Sequence, residues 1–344
     1  MRKTHSWTYD YFIGVDVSKL SLDFSIFKRN EFVGHYKVDN SPAAIVEFVK
    51  NIKSNIVLSA AKTVFGLEQI GIYSNHLLQY LIKIKANTVL EDPNHLKKTI
   101  GTVRGKNDKI DSQRIANYMI THRDKLKLWK PKRAILDDLA RLCSLRARMI
   151  SVYRGLSTPL KEERSFSNKT SSNNSAALCA NTISTIKDDI VKLELHIQQL
   201  WKADETLNHL MTLIMSVPGV GPITGIHILI HTNEFKAIND PRKFACYCGV
   251  APFEYTSGSS IKKLTRVSKI SNRKIKALLH SCALSARRFS PEIKAYYERK
   301  TVNEGKHQMC VMNAIRFKII ARIFACVNKN RPYQPVYVVH ELKK

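Results

Sequence analysis

The stretch Tyr11–Phe27, reading Y-F-I-G-V-D-V-S-K-L-S-L-D-F-S-I-F, leaves this chain few folds to choose from. Phe12, Ile13 and Val15 read as a buried strand ending at Asp16, and Ser18-Lys19 as a turn. Leu20, Leu22, Phe24 and Ile26 then alternate with polar residues, the period of a half-buried strand. Phe32–Val38 supplies a third strand and completes a meander. Asp16 therefore sits inside or just past an apolar strand. A carboxylate there is costly to bury unless it is paired or holds a metal. A turn-capping aspartate is the other reading.

Ser41-Pro42 is a helix start, an N-cap followed by proline at the first helical position, with Ile45, Phe48, Val49 and Ile52 as the apolar face. Thr63–Leu67 reads as a strand running into Glu68, with a glycine turn and a helix over 74–84 behind it. A carboxylate at that place suits a site on the edge of an α/β sheet. Thr88–Leu90 is a further strand, stopped by Asp92-Pro93-Asn94. A helix and a basic, glycine-punctuated loop with Arg104 and Lys106 follow. Then comes G-K-N-D-K-I-D-S-Q-R-I-A, Gly105–Ala116. Asp108 and Asp111 are three residues apart, so on a helix they share a face. They either hold a hard cation such as Mg²⁺ or decorate a solvated helix start, where the dipole favours acids.

Three hairpin strands followed by alternating helices and strands, with Asp16, Glu68, Asp108 and Asp111 at their ends, is a ribonuclease-H-like, Holliday-resolvase-like α/β layout. Such acids can converge on two metal ions about 3.5–4 Å apart, one activating the attacking oxygen and one stabilising the leaving oxygen.

I-G-V-D-V-S-K, E-x-x-G-x-Y and K-N-D-K-I-D together resemble the DEDD-type insertion-sequence recombinases, the family of insertion sequence one-hundred-and-ten, which includes the Piv DNA invertase. The resemblance implies Asp16, Glu68, Asp108 and Asp111 as an acidic tetrad binding Mg²⁺ or Mn²⁺. Ile70 departs from the pattern, which has threonine there.

Past residue 125, Pro131–Gly155 reads as a long basic helix with Ile135, Leu139, Leu142, Met149 and Val152 on one face. Lys161–Ser175 is polar and Ser/Asn-rich, a flexible connection by composition. Ile183, Ile186, Ile190, Leu193, Ile197 and Leu200 then keep a heptad, the pattern of a coiled coil paired either within the chain or with another protomer. Ser216–Ile230, S-V-P-G-V-G-P-I-T-G-I-H-I-L-I, reads as a helix-hairpin-helix whose backbone at Gly219 and Gly221 can hold a phosphate. A plain interhelix turn is the alternative.

Gly249–Lys269 is the second informative stretch. Ser257-Gly258-Ser259-Ser260 is a small-residue loop followed by Lys262, Lys263, Arg266 and Lys269. Alone it is a flexible loop as readily as a site. The family's transposase domain, however, carries G-x-x-P-x-x-x-x-S-G-S-S, present here without gaps from Gly249 to Ser260. By that resemblance Ser257 is the nucleophile that becomes joined to DNA. Gly258 permits a close backbone approach, and the cations are suited to a phosphate. A basic helix over 272–286, with Ile275, Leu278, Leu279, Cys282 and Leu284 as its buried side, and two more helices close the chain.

The expected organisation is a catalytic domain over 1–125, a coiled-coil spacer over 126–210 and a mostly α-helical transposase domain over 211–344. Lys plus Arg number 56 against 28 Asp plus Glu, a formal net charge of +28. Self-repulsion of that size favours a polyanionic partner. No apolar run is long enough to span a bilayer and no signal peptide is evident. Seven scattered cysteines suggest free thiols in a reducing, bacterial cytoplasm, with the protein on the nucleoid. The resemblance further implies target and donor DNA, a bridge RNA that pairs with both, and a homo-oligomer, dimer or tetramer. The rival reading is a metal-dependent Holliday-junction resolvase or nuclease that uses water as the nucleophile.

Overall fold

The computed structural model describes residues 8–56, 59–68, 71–100, 107–166, 169–257, 261–268 and 270–335. Arg104, Lys106, Ile70, Gly258 and Lys269 lie outside these. The chain forms two compact units, 1–131 and 132–344.

The first unit is a mixed sheet with helices on both faces. Its strands are β1 (Tyr11–Val17), β2 (Ser21–Lys28), β3 (Glu31–Asp39), β4 (Thr63–Glu68) and β5 (Asn87–Glu91), in the order β3-β2-β1-β4-β5. The meander β1-β2-β3 is antiparallel, and β4 and β5 join it in parallel. Strand alternation divides the apolar residues between two cores. Ile13, Val15, Leu22, Phe24, Ile26, Phe65 and Leu67 pack with α1 (Pro42–Ile56) and α2 (Asn75–Lys83). Phe12, Phe27, Val64 and Val89 pack on the other face with α3 (Pro93–Ile100) and α4 (Asp108–Thr121).

α4 lies unusually close to the sheet because β1 and β4 have glycine under it. Gly14 and Gly66 are register partners. A Cβ on Gly14 would stand 2.1 Å from the Ser112 carbonyl oxygen and 2.5 Å from the Ala116 nitrogen. One on Gly66 would meet the Met119 sulfur at 2.4 Å. No other residue leaves that space. The buried Ser25 and Ser112 hydroxyls, 2.7 Å apart, fix the helix against β2.

The second unit is mostly helical. α5 (Ala134–Phe166) and α6 (Lys169–Ala203) are long and pack along each other, joined by an Arg146–Glu194 ion pair. The heptad residues of α6 are buried or half-buried, whereas Val191 and Leu195 between them are exposed. α7 (Glu205–Met215), α8 (Pro222–Thr232), α9 (Pro241–Tyr247), α10 (Arg273–Phe289), α11 (Pro291–Glu298) and α12 (Gln308–Asn328) build a single core of Leu, Ile, Val and Phe, including Leu136 and Leu139 of α5. An antiparallel hairpin, β6 (Pro252–Ser257) and β7 (Ile261–Val267), stands between α9 and α10.

Three expectations are corrected. Lys161–Ser175 is no linker: α5 runs to Phe166 and α6 begins at Lys169, and Ser175 donates to Glu163 across the pair. Polar residues stay helical there because a partner helix lies alongside, a tertiary effect that composition does not carry. Ser257, read as the first residue of a small-residue loop, is instead the last residue of β6, with β7 beginning at Ile261. Leu284 is exposed, the inner side of α10 being Ile275, Leu279, Cys282, Ala283 and Ala286.

Candidate active site

The strand period decides where the first two acids point. On β1, Phe12 and Gly14 face α4, so Asp16, two residues further on, faces the same way. On β4, Val64 and Gly66 face α4, and Glu68 continues that series. Asn107 caps α4 by accepting from Lys109 N–H at 3.0 Å, which fixes the first turn at Asp108–Asp111. Ser112 sits over Gly14, so the first turn of α4 overhangs the end of β1 that carries Asp16. All four acids predicted from the sequence are thus brought to one end of one sheet face.

Asp16 registers this crowding. Its carboxyl is pushed up to about 6, first by burial and then by the charges of Asp111, Asp108, Glu68 and Asp23. Asp111 is held by Arg114 at 2.7 Å. Among the described residues no three acidic, histidine or cysteine side chains close around one point as they would around a metal. The donor set is nonetheless hard oxygen, and its charges repel, which fits a divalent cation in chemistry and sign. Asp111 would have to exchange Arg114 for the ion.

Asp23 escaped the sequence reading. It is the register partner of Asp16 on β2, 3% exposed, and its Oδ1 lies 2.9 Å from His35 Nε2 on β3. The signal was available: two strands pairing about the Ser18-Lys19 turn put their carboxylates opposite each other. At the neighbouring strand end, Glu91 is the register partner of Glu68. Tyr118 of α4 donates to it at 3.2 Å, and burial followed by that charge pushes the phenol up to about 12.

In the second unit Ser257 ends β6 opposite Ile261, at the tip of the hairpin. Lys262 pairs in register with Thr256 and Lys263 with Tyr255, and Arg266 is exposed near the root of β7. The root is clamped. Asn272 N–H donates to the Tyr247 carbonyl at 2.9 Å, and Asn272 Nδ2 to the Tyr247 hydroxyl at 2.9 Å. That hydroxyl lies 2.7 Å from His231 Nδ1.

Gly219 has a packing reason of its own. Gly219 takes φ +86°, and a Cβ there would stand 2.4 Å from the Cys282 carbonyl oxygen. Val220 N–H donates to the Val217 carbonyl at 3.1 Å. Gly219 thus serves a tight turn seated on α10.

Comparison with known proteins finds two family models along the chain. A family model described as Transposase, the DEDD transposase of IS110, matches residues 13–161, and one described as Transposase IS116/IS110/IS902 family matches residues 211–298. Across 94% of its length the chain is 24% identical to the pilin gene-inverting protein of Moraxella bovis, covering 97% of that protein. The pilin gene-inverting protein of Moraxella lacunata is 23% identical with the same coverage. An uncharacterised protein of insertion element IS900 from Mycobacterium paratuberculosis is 29% identical over 127 residues, 36% of this chain and 31% of that protein. With the two models laid in order along it and relatives aligned over nearly its whole length, the chain belongs to the IS110 family of DEDD recombinases and transposases.

Proposed function

We propose that the chain cuts and rejoins DNA strands with Asp16, Glu68, Asp108 and Asp111 as ligands of Mg²⁺, or Mn²⁺, and Ser257 as the nucleophile. The observation that carries the reading is that strand period and the first turn of α4 bring Asp16, Glu68, Asp108 and Asp111 to one end of one sheet face, where burial first and then the neighbouring acids push the Asp16 carboxyl up. Bound there, the metal supplies electrophilic stabilisation of charge on the reacting phosphodiester oxygens. Asp108 and Asp111, on the rigid first turn of α4, hold their carboxylates in place as the strand enters. Ser257 Oγ forms a bond to phosphorus as the bond from phosphorus to a deoxyribose oxygen breaks. The seryl proton passes to solvent water as this happens, and the departing oxygen takes one up from solvent water. Lys262, Lys263 and Arg266 steady the phosphate.

The pilin gene-inverting relatives support DNA as the substrate, and the net charge of +28 suits a polyanion. Family resemblance suggests a bridge RNA pairing with target and donor DNA. Strand exchange joins two cut partners, so at least a dimer is proposed, with the ribonuclease-H-like unit of one protomer free to serve the serine of either.

The test is a strand-cleavage assay that also traps covalent protein–DNA adducts, run on Asp108→Asn and Ser257→Ala. Asp108→Asn is expected to lose cleavage by a hundredfold or more, on the order of a lost charge stabilisation, while retaining nucleic-acid binding. Ser257→Ala is expected to form no adduct. Cleavage at wild-type rate without an adduct would assign water as the nucleophile, and full activity of Asp108→Asn in Mg²⁺ would discard the tetrad.

A further inference from the structure

α12 carries a guanidinium where its neighbours are apolar. Arg316 follows Ile315 and precedes Ile319 and Ile320 by one turn, and it is 5% exposed. Its Nη2 donates to His280 Nδ1 at 2.8 Å and its Nη1 to Asn313 Oδ1 at 3.2 Å. Its Nε–H meets no acceptor. None of the ion pairs formed among the described residues includes it. A buried charge without a counter-charge is costly, and proteins ordinarily pair it.

Two more basic side chains stand opposite. Lys276 and His280 are four residues apart on α10, so they share a face, and both are half-buried. Burial followed by the Arg316 charge holds both below their ordinary values. An arginine can only donate, so His280 Nδ1 is the acceptor and the ring proton sits on Nε2. What remains unengaged is therefore all of one kind: Arg316 Nε–H, His280 Nε2–H and the Lys276 ammonium are donors without an acceptor among the described residues.

We propose that Lys276, His280 and Arg316 form a phosphate site for a nucleic-acid backbone, whose phosphodiester supplies the negative charge that Arg316 lacks. A planar guanidinium, an imidazole N–H and an ammonium together match an oxyanion with several acceptor oxygens. The site also reaches the reactive hairpin: Arg316 holds Asn313, and Asn313 Nδ2 donates to the Val250 carbonyl at 2.7 Å, two residues before β6. A strand seated there fixes the root of the hairpin that ends in Ser257. Nucleic acid as the source of the phosphate rests on the function proposed above; the anion site itself does not.

The experiment compares wild type, Arg316→Met and Lys276→Ala by thermal unfolding with and without inorganic phosphate, and by salt titration of binding to a labelled duplex oligonucleotide. Without phosphate, Arg316→Met removes the uncompensated charge and also the hydrogen bonds to His280 and Asn313, so the readout is the shift that phosphate adds to each protein's own melting temperature. Phosphate is expected to raise the melting temperature of wild type, of Lys276→Ala less, and of Arg316→Met not at all. The log–log salt slope is expected to be shallower by about 0.9 for each variant. Lys276→Ala changes only a half-buried side chain and serves if Arg316→Met does not fold. Equal stabilisation of the folded variants and wild type by phosphate would make Arg316 a structural strut and overturn the proposal. A phosphate effect with unchanged oligonucleotide slopes would leave a site for free phosphate and overturn the backbone assignment. None of these readouts uses strand cleavage, so they stand apart from the fate of the recombinase reading.

Discussion

Asp16 is held between what the fold gains from β1 and what four neighbouring acids cost it. Its carboxyl titrates at about 6 rather than 3.8, so between those values the folded chain keeps a proton that the unfolded chain releases. Stability from this group is full below the unfolded value and is lost as pH rises through about 6. At neutral pH the ionised Asp16 therefore destabilises the metal-free protein. Asp16→Asn should raise its melting temperature at pH 7 in chelator, by about 1 kcal/mol of stability once screening of a partly exposed group is allowed for. Mg²⁺ should stabilise wild type more than the variant, since the asparagine is a poorer ligand for a hard cation. A variant that melts below wild type in chelator at pH 7 would show that Asp16 is held by a partner rather than repelled. Asp23 differs: it is buried on the same face but has His35 against it.

At the scale of elements, the site depends on how closely α4 approaches the sheet. Gly14→Ala would drive a methyl group into the backbone of α4, and backbone cannot turn aside as a side chain does. A loss of about 3 kcal/mol is expected, with cleavage falling as the first turn of α4 lifts away from Asp16. Gly155→Ala in α5 is the control: nothing stands within 4 Å of a Cβ there, so a gain of about 0.5–1 kcal/mol is expected from helix propensity. Equal stabilities of the two variants by chemical denaturation would remove the glycine floor from the account. The same elements show what could be read beforehand. The strands carrying Asp16 and Glu68 and the helix carrying Asp108 and Asp111 were legible because short apolar runs and i, i+3 spacing are local. Polar 161–175 was misread as a linker because its helicity comes from the pairing of α5 with α6. Asp23 was passed over because an acid in an alternating strand looks like a solvent-facing position, and Arg316 because a lone arginine on an apolar helix looks like its polar side. In each case the missing information was which neighbour the fold would supply.

At the scale of the molecule, the two units answer acid in opposite directions. In the second, burial lowers His227 to about 3 and His231 to about 4; Lys274 and Arg146 also bear on His227, and Lys132 and Lys274 on His231. Both imidazoles fold neutral. Their contribution is complete above the unfolded value near 6.5 and is lost as pH falls below it, by up to ~1.4 kcal/mol per histidine for each pH unit. The first unit gains over the same interval, as Asp16 takes up its proton. Hydrogen exchange at pH 7 and pH 5 on the metal-free protein, corrected for the intrinsic rate, separates the two because it reads each element by itself. Peptides from α8 are expected to lose protection at pH 5, and peptides from β1 and α4 to gain it. Asp16→Asn should abolish the gain in β1 and α4 and leave the loss in α8 untouched. Protection falling in both units alike, with or without Asp16, would point to the general repulsion of a chain of net charge +28 rather than to these buried groups. In that case nucleic acid, by neutralising the charge, should restore both units together; if the histidines govern α8, its acid loss should persist with the duplex bound.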